Sequence, residues 1–194
     1  MFKKIVLFIS GIRLIPHLII LASHKNNKVI KYEISRWLQL VRTEKGIYGG
    51  FIYLMTYFPE FRNLFYYRIG RSRHFINFLC PKMNTLFINT SDIGAGLFIQ
   101  HGFATIIAAK SVGRDCWINQ QVTIGFSNET DAPIIGDNVA IKAGAKVIGG
   151  IVIGNNSTVG ANAVVVKDVP DNCVVVGIPA YIVKRDGIKV RENL

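Results

Sequence analysis

One stretch of the chain sets a titratable base among apolar residues and glycine: "IQHGFATII", residues 99 to 107. Four histidines occur, His17, His24, His74 and His101, and only the last lies in the C-terminal half. An imidazole titrates near neutral pH, so His101 is the one titratable base this half has for chemistry at neutral pH. The plainer alternative is a buried structural side chain. The three cysteines, Cys80, Cys116 and Cys173, are odd in number and far apart. No CxxC pair or Cys/His cluster has metal-ligand spacing, so reduced thiols, a reducing compartment and no protein-held metal are expected. Cys116 and Cys173 read as small apolar side chains.

The elements that must position His101 follow from a repeat. Ten six-residue units begin with Ile93, Ile99, Val112, Ile118, Ile124, Ile135, Ile141, Val147, Ile153 and Val159. Period six matches neither an α-helix nor a half-buried strand. It fits a solenoid in which one aliphatic residue per six points inward and stacks on the coils above and below. Three sixes per coil give a triangular section, with Gly, Asn and Asp at the turns. The hexads break at "SNETDA", residues 127 to 132, which reads as a protruding polar loop able to carry selectivity.

Residues 29 to 80 read differently. Ile30, Ile34, Trp37, Leu38 and Val41 form an amphipathic helical stripe ending near Gly46. An aromatic-rich stretch follows, broken by Pro59, with Arg62, Arg68, Arg71 and Arg73 between the rings. Such interleaving can bind nucleic acid, but no nucleic-acid motif accompanies it, and packed aromatics with snorkelling arginines explain it as well. Residues 1 to 82 hold 14 Lys+Arg against three acidic residues, whereas 83 to 194 hold nine of each, so the whole excess of +11 lies in the N-terminal part. That charge suits phosphates or an anionic membrane face, or is a solvated surface. The opening "MFKKIVLFISGIRLIPHLIILAS" imitates a targeting segment, but Arg13, Pro16 and His17 interrupt its apolar run. A packed or membrane-surface helix ranks above a span, and a span above a cleaved signal.

The hexads, the "QHG" motif and the ending "VPDNCVVVGIPAYIVKR" resemble the hexapeptide-repeat acyltransferases, nearest to the serine acetyltransferase-like branch that includes bacterial polysaccharide O-acetyltransferases. The resemblance covers residues 86 to 185. It implies a mainly β fold, a left-handed parallel β-helix following an α-helical N-terminal region. The domains are then 1–82, helical and basic, 86–185, the β-helix, and 186–194, a tail. The resemblance also implies a homotrimer with sites between subunits, acetyl-CoA as co-substrate, no metal, and a cytoplasmic setting with or without peripheral contact at the membrane face. By position, His101 is the general base, and Ala143, Gly144 and Ala161 line the pantetheine arm. Lys184 and Arg185 would meet the phosphates of CoA. No serine or cysteine nucleophile stands beside His101 in the motif, so transfer is expected to be direct, within a ternary complex.

Three departures bear on the acceptor. Where serine acetyltransferases carry an Asp before the first hexads, Phe87, Ile88 and Asn89 stand here; the nearby Asp92 falls at another hexad position. Where they carry a second His, this chain has Ala132, and Ala108 and Ala109 replace a Glu after the base. His101 would then be oriented by a backbone carbonyl, by Asn119 or Gln120 from the next coil, or by a neighbouring subunit. A site without those polar groups is expected to discriminate poorly for serine. The reading is therefore O-acetylation of a sugar hydroxyl in surface-polysaccharide synthesis, with serine O-acetylation as the alternative and a non-catalytic β-helix scaffold behind both. No nucleic-acid partner is expected.

Overall fold

The structure, a computed structural model, describes residues 2–194, with side chains from residue 5 onward. The side chains of Lys3 and Lys4, the basic head of the targeting-like segment, lie outside the described residues. The chain divides after Met83 into a helical unit and a second unit, Asn84–Leu194.

The helical unit holds α1 (Phe2–Arg13), α2 (Ile15–Ser23), α3 (Asn27–Leu40), α4 (Ile47–Tyr57) and α5 (Pro59–Ile69), then a 3-10 turn, Gly70–Phe75. On α3 the stripe Ile30, Ile34, Trp37 and Leu38 is buried as its spacing requires. The helix stops at Leu40 and not near Gly46, because Arg42 enters the left-handed region (φ 54°) and Thr43 N–H returns to the Leu38 carbonyl at 2.9 Å. Pro59 opens α5, where its missing N–H costs nothing. Trp37 meets Phe61 edge-on at 5.2 Å between centroids. Two of the interleaved arginines have internal partners. Arg62 donates to the carbonyls of Met55, Thr56 and Pro81 at 2.6–2.9 Å, and so closes the end of α4. Arg68 is buried against Glu33, with Nη2 2.6 Å from Oε1.

The second unit is a parallel β-helix. Its strands are β1 (Leu86–Ile88), β2 (Phe98–Gln100), β3 (Thr105–Ile107), β4 (Ser111–Val112), β5 (Trp117–Asn119), β6 (Thr123–Gly125), β7 (Ile134–Ile135) and β8 (Ala140–Ile141). They continue as β9 (Lys146–Ile148), β10 (Val152–Ile153), β11 (Thr158–Val159), β12 (Val164–Val165), β13 (Cys173–Val176), β14 (Tyr181–Arg185) and β15 (Ile188–Asn193). Three faces result, ordered β1-β3-β6-β9-β12, β4-β7-β10 and β2-β5-β8-β11-β13. The third face continues through β14 and β15, which turn back antiparallel. Residues 186–194, read from sequence as a tail, thus include a paired strand, because Gly187 at φ 85° permits the tight reversal from β14.

All ten hexad-leading residues are buried, and in register across coils: Ile118 pairs with Ile141, and Ile141 with Val159. A second inward row lies two residues earlier and includes Leu97, Cys116, Val122, Val139, Ala145, Ile151 and Ala163. Cys116 and Cys173 are free thiols in this core. At one corner Asn138, Asn156 and Asn172 stack in left-handed conformation, φ 55–57°, and pass amide hydrogen bonds coil to coil at 3.2 and 3.0 Å. Beside them Asp137, Asn155 and Asp171 accept the backbone N–H of the preceding coil at 2.7–2.8 Å. Such corners need residues that tolerate positive φ and carry a short acceptor, which is why Asn and Asp recur there.

Candidate active site

His101 follows the last residue of β2 and turns the chain out of the third face. Its backbone is left-handed, φ 64°, an uncommon conformation for a residue with a side chain, and its imidazole is exposed. Gly102 follows at φ 35° and is buried, so the chain dives inward while the imidazole stays out. Among the described residues the imidazole has no hydrogen-bond partner.

Register fixes what shares this corner. Gln100 pairs with Asn119, and continuing the pairings of β5 with β8, and of β8 with β11, brings Gln120, Ala143 and Ala161 into one column behind His101. Backbone bonds tie the column: Gly144 N–H donates to the Gln120 carbonyl at 3.0 Å, and Asn162 N–H to the Ala143 carbonyl at 2.9 Å. Ala143 and Ala161 project only methyl groups, and so leave a shelf one side chain deep along the corner. Gly144, at φ 75°, could not carry a Cβ without meeting the Asn162 carboxamide, so coil packing alone accounts for that glycine.

Of the polar groups expected to orient His101, Asn119 is engaged elsewhere. Asn119 Nδ2 donates to Gln100 Oε1 at 3.2 Å, and not to the imidazole, because the two residues face each other across neighbouring coils. Asn119 Oδ1, Gln120 Oε1 and Trp117 Nε1 are buried without a hydrogen-bond partner among the described residues. Trp117 packs edge-on against Phe98 at 5.0 Å, and the Lys142 ammonium lies 4.7 Å from its ring centroid. Sequence reading gave Gln100 only as part of "QHG" and did not single out Trp117. The signal was present in the like hexad positions of "FIQ" and "WIN".

Lys184 and Arg185 are not at this corner. Val176 pairs with Tyr181 and Cys173 with Arg185, so the two basic residues sit at the other end of the face, beside the asparagine corner. Lys184 lines a cleft of about 420 Å³ with Asn156 and Asn172. Arg185 is taken by Glu192 of β15, Nη2 to Oε2 at 2.6 Å. Within one chain, a cation nearer the end of the column is Lys167, on a cleft of about 450 Å³ with Ile178, Pro179 and Tyr181.

The positions of the three departures are equally plain. Phe87 is exposed and pairs with exposed Ile106 on the first face; Ala108 and Ala109 are buried. Ala132 ends a loop closed by Asp131, whose carboxylate accepts Ser127 N–H at 2.8 Å, Asn128 N–H at 3.1 Å and the Ser127 hydroxyl. These donors, the hydroxyl first, hold the Asp131 carboxyl below the usual carboxylate range. Among the described residues no group of His, Cys, Asp and Glu could hold a metal ion.

Residues 132–167 match the bacterial transferase hexapeptide family model, six repeats. The matched stretch lies within the parallel β-helix. The serine acetyltransferase of Synechococcus elongatus is 43% identical over 102 residues, which cover 50% of this chain and 42% of that one. The serine acetyltransferase of Staphylococcus aureus is 47% identical over 107 residues, 53% of this chain and 50% of that one. This chain thus spans about half the length of these curated relatives. Among solved structures, the Neisseria gonorrhoeae serine acetyltransferase superposes with a TM-score of 0.69 at 27% identity, over 88% of this chain and 69% of that one.

These relatives correct the acceptor expected from sequence. The polysaccharide reading rested on missing polar residues, and these relatives, similar to the chain, are named for serine. The loss of Asp and His weakens one way of holding serine; it does not build a place for a sugar ring.

Proposed function

We propose that this protein is an acetyl-CoA-dependent O-acetyltransferase with serine as acceptor. The observation that carries the proposal is His101, exposed in a left-handed turn at the head of a corner column whose next members include Ala143 and Ala161. The exposed imidazole accepts the proton of the acceptor hydroxyl as that oxygen attacks the thioester carbonyl. Collapse of the tetrahedral adduct expels the CoA thiolate, and the imidazolium returns the proton to sulfur. The shelf beside Ala143, Gly144 and Ala161 takes the pantetheine arm, since only small side chains let it approach the backbone.

Gln120, one coil along at the same corner, is proposed to accept the imidazole N–H; its amide oxygen is otherwise unpaired. Asn119 stays with Gln100 and shapes the wall. Lys184 and Arg185 serve CoA phosphates only if a neighbouring copy brings them to the column, in keeping with a homotrimer whose sites lie between subunits. Acetyl-CoA as donor puts the reaction in the cytoplasm.

The test is thiol release from acetyl-CoA by the full chain with L-serine, beside His101→Ala. Serine-dependent release that the substitution abolishes is the expected result. A protein that binds acetyl-CoA yet releases no thiol with serine would refute the acceptor. Release unaffected by the substitution would refute the base.

A further inference from the structure

Helices α1 and α2 leave a row of large apolar side chains in water although the side facing the protein is also largely apolar. Ile5, Phe8, Ile9 and Ile12 follow the i, i+3, i+4, i+7 spacing of one helix face, and Ile15 and Ile19 continue it; all six are 50–72% exposed. Ser10 and His17, which that spacing would leave for water, are buried. A water-facing helix shows the opposite pattern, and an apolar patch of this extent marks an interaction surface. The other side is already committed within the helical unit. Leu14 and Leu21 are fully buried, His17 Nε2 lies 2.8 Å from the Tyr66 hydroxyl, and Gly11 packs by Ile52 of α4.

Charge identifies the occupant. Residues 1–32 hold no Asp or Glu and Glu33 is neutralised by Arg68, while Arg13 at the end of α1 and Lys25 and Lys28 shortly after α2 are exposed. A second copy would set the +11 of one N-terminal part against the same charge in another, whereas an anionic lipid surface complements it. We propose that the α1–α2 face seats in the headgroup region of an anionic phospholipid bilayer, its six apolar side chains among the upper acyl carbons and its cations at the phosphates. The helices lie on the membrane. Neither is long enough to cross it, they bend by 62° at the break after Arg13, and one side is held by protein. This inference is independent of the acetyl-transfer reading.

Co-sedimentation of the full chain with vesicles tests it, using phosphatidylcholine alone and phosphatidylcholine with about 30% phosphatidylglycerol. Binding to the anionic vesicles is expected, weakening as salt rises from about 0.1 to about 0.5 M. Phe8→Glu/Ile12→Glu should reduce the partition by about tenfold or more, with an unchanged circular dichroism spectrum. Ile15→Gln/Ile19→Gln on α2 provides the same test if the first variant misfolds. Absence of sedimentation with either vesicle, or equal binding by parent and variants, overturns the proposal. So does a fall in assembly mass in the variants, by light scattering, without vesicle binding by the parent; a second copy would then cover the face.

Discussion

Glu33 and Arg68 meet inside the helical unit, whereas Asp137, Asn155 and Asp171 stack at a corner of the β-helix within reach of water. Each arrangement satisfies polar groups, at very different stakes. The corner ladder repeats, every rung answering one backbone N–H, so a lost rung is a local and bounded cost. The helical unit concentrates its polar requirements in single buried contacts, the Glu33–Arg68 pair and the run from His17 through the Tyr66 hydroxyl to the Cys80 carbonyl, 2.8 and 2.7 Å. Burial of this kind pushes the Tyr66 phenol and the Cys80 thiol up and the His17 imidazole down to about 4. Substitutions in the two units should therefore differ in kind.

The sharpest contrast is His101→Ala. It should lower acetyl transfer by about 10²- to 10⁴-fold in a thiol-release assay and leave thermal unfolding nearly unmoved, since the imidazole is exposed and has no hydrogen-bond partner among the described residues. Glu33→Ala should do the reverse, costing about 3–5 kcal/mol in urea titration by stranding a buried guanidinium, while Glu33→Met with Arg68→Met regains most of it.

A pH dependence should separate the units next. His17 is held neutral in the folded state while the unfolded chain takes up a proton near pH 6.5, so stability falls as pH drops from about 6.5 towards about 4, by at most about 3 kcal/mol. His17→Phe should flatten that slope in denaturation curves taken at both ends of the range; an unchanged slope would assign it elsewhere. The smallest effect is expected at the corner. Asn156→Ala loses two ladder bonds and places alanine at φ 57°, about 1–2 kcal/mol by the same titration, with Asn156→Gly costing less.

Legibility in the sequence divides along the same line. Ile141, Val147 and Val159 announced their burial because a period of six admits few architectures. The second inward row was silent, since it mixes Ala, Cys, Val, Leu and Ile and follows no single residue type. At the candidate site, His101 and its motif were visible, and so were Ala143 and Ala161 through position. Its left-handed backbone was not, nor the separation of Lys184 and Arg185 from the column. That separation depends on β14 reversing direction after the last parallel strand, and hexad counting assumes that coils continue. The outward face of α1 and α2 was equally hidden. Both sides of those helices are apolar, and only packing reveals which side the rest of the unit covers.

The reversal at β14 also matters for how molecules behave together. A parallel solenoid that simply stopped would present an open rim of unpaired amides and carbonyls, able to recruit the rim of another and grow into a fibre. Here β13 is covered by β14, and β14 by β15, whose exposed Lys189 and Arg191 make a poor template for another strand. On this face the hairpin is a terminator, and it leaves another strand little to pair with.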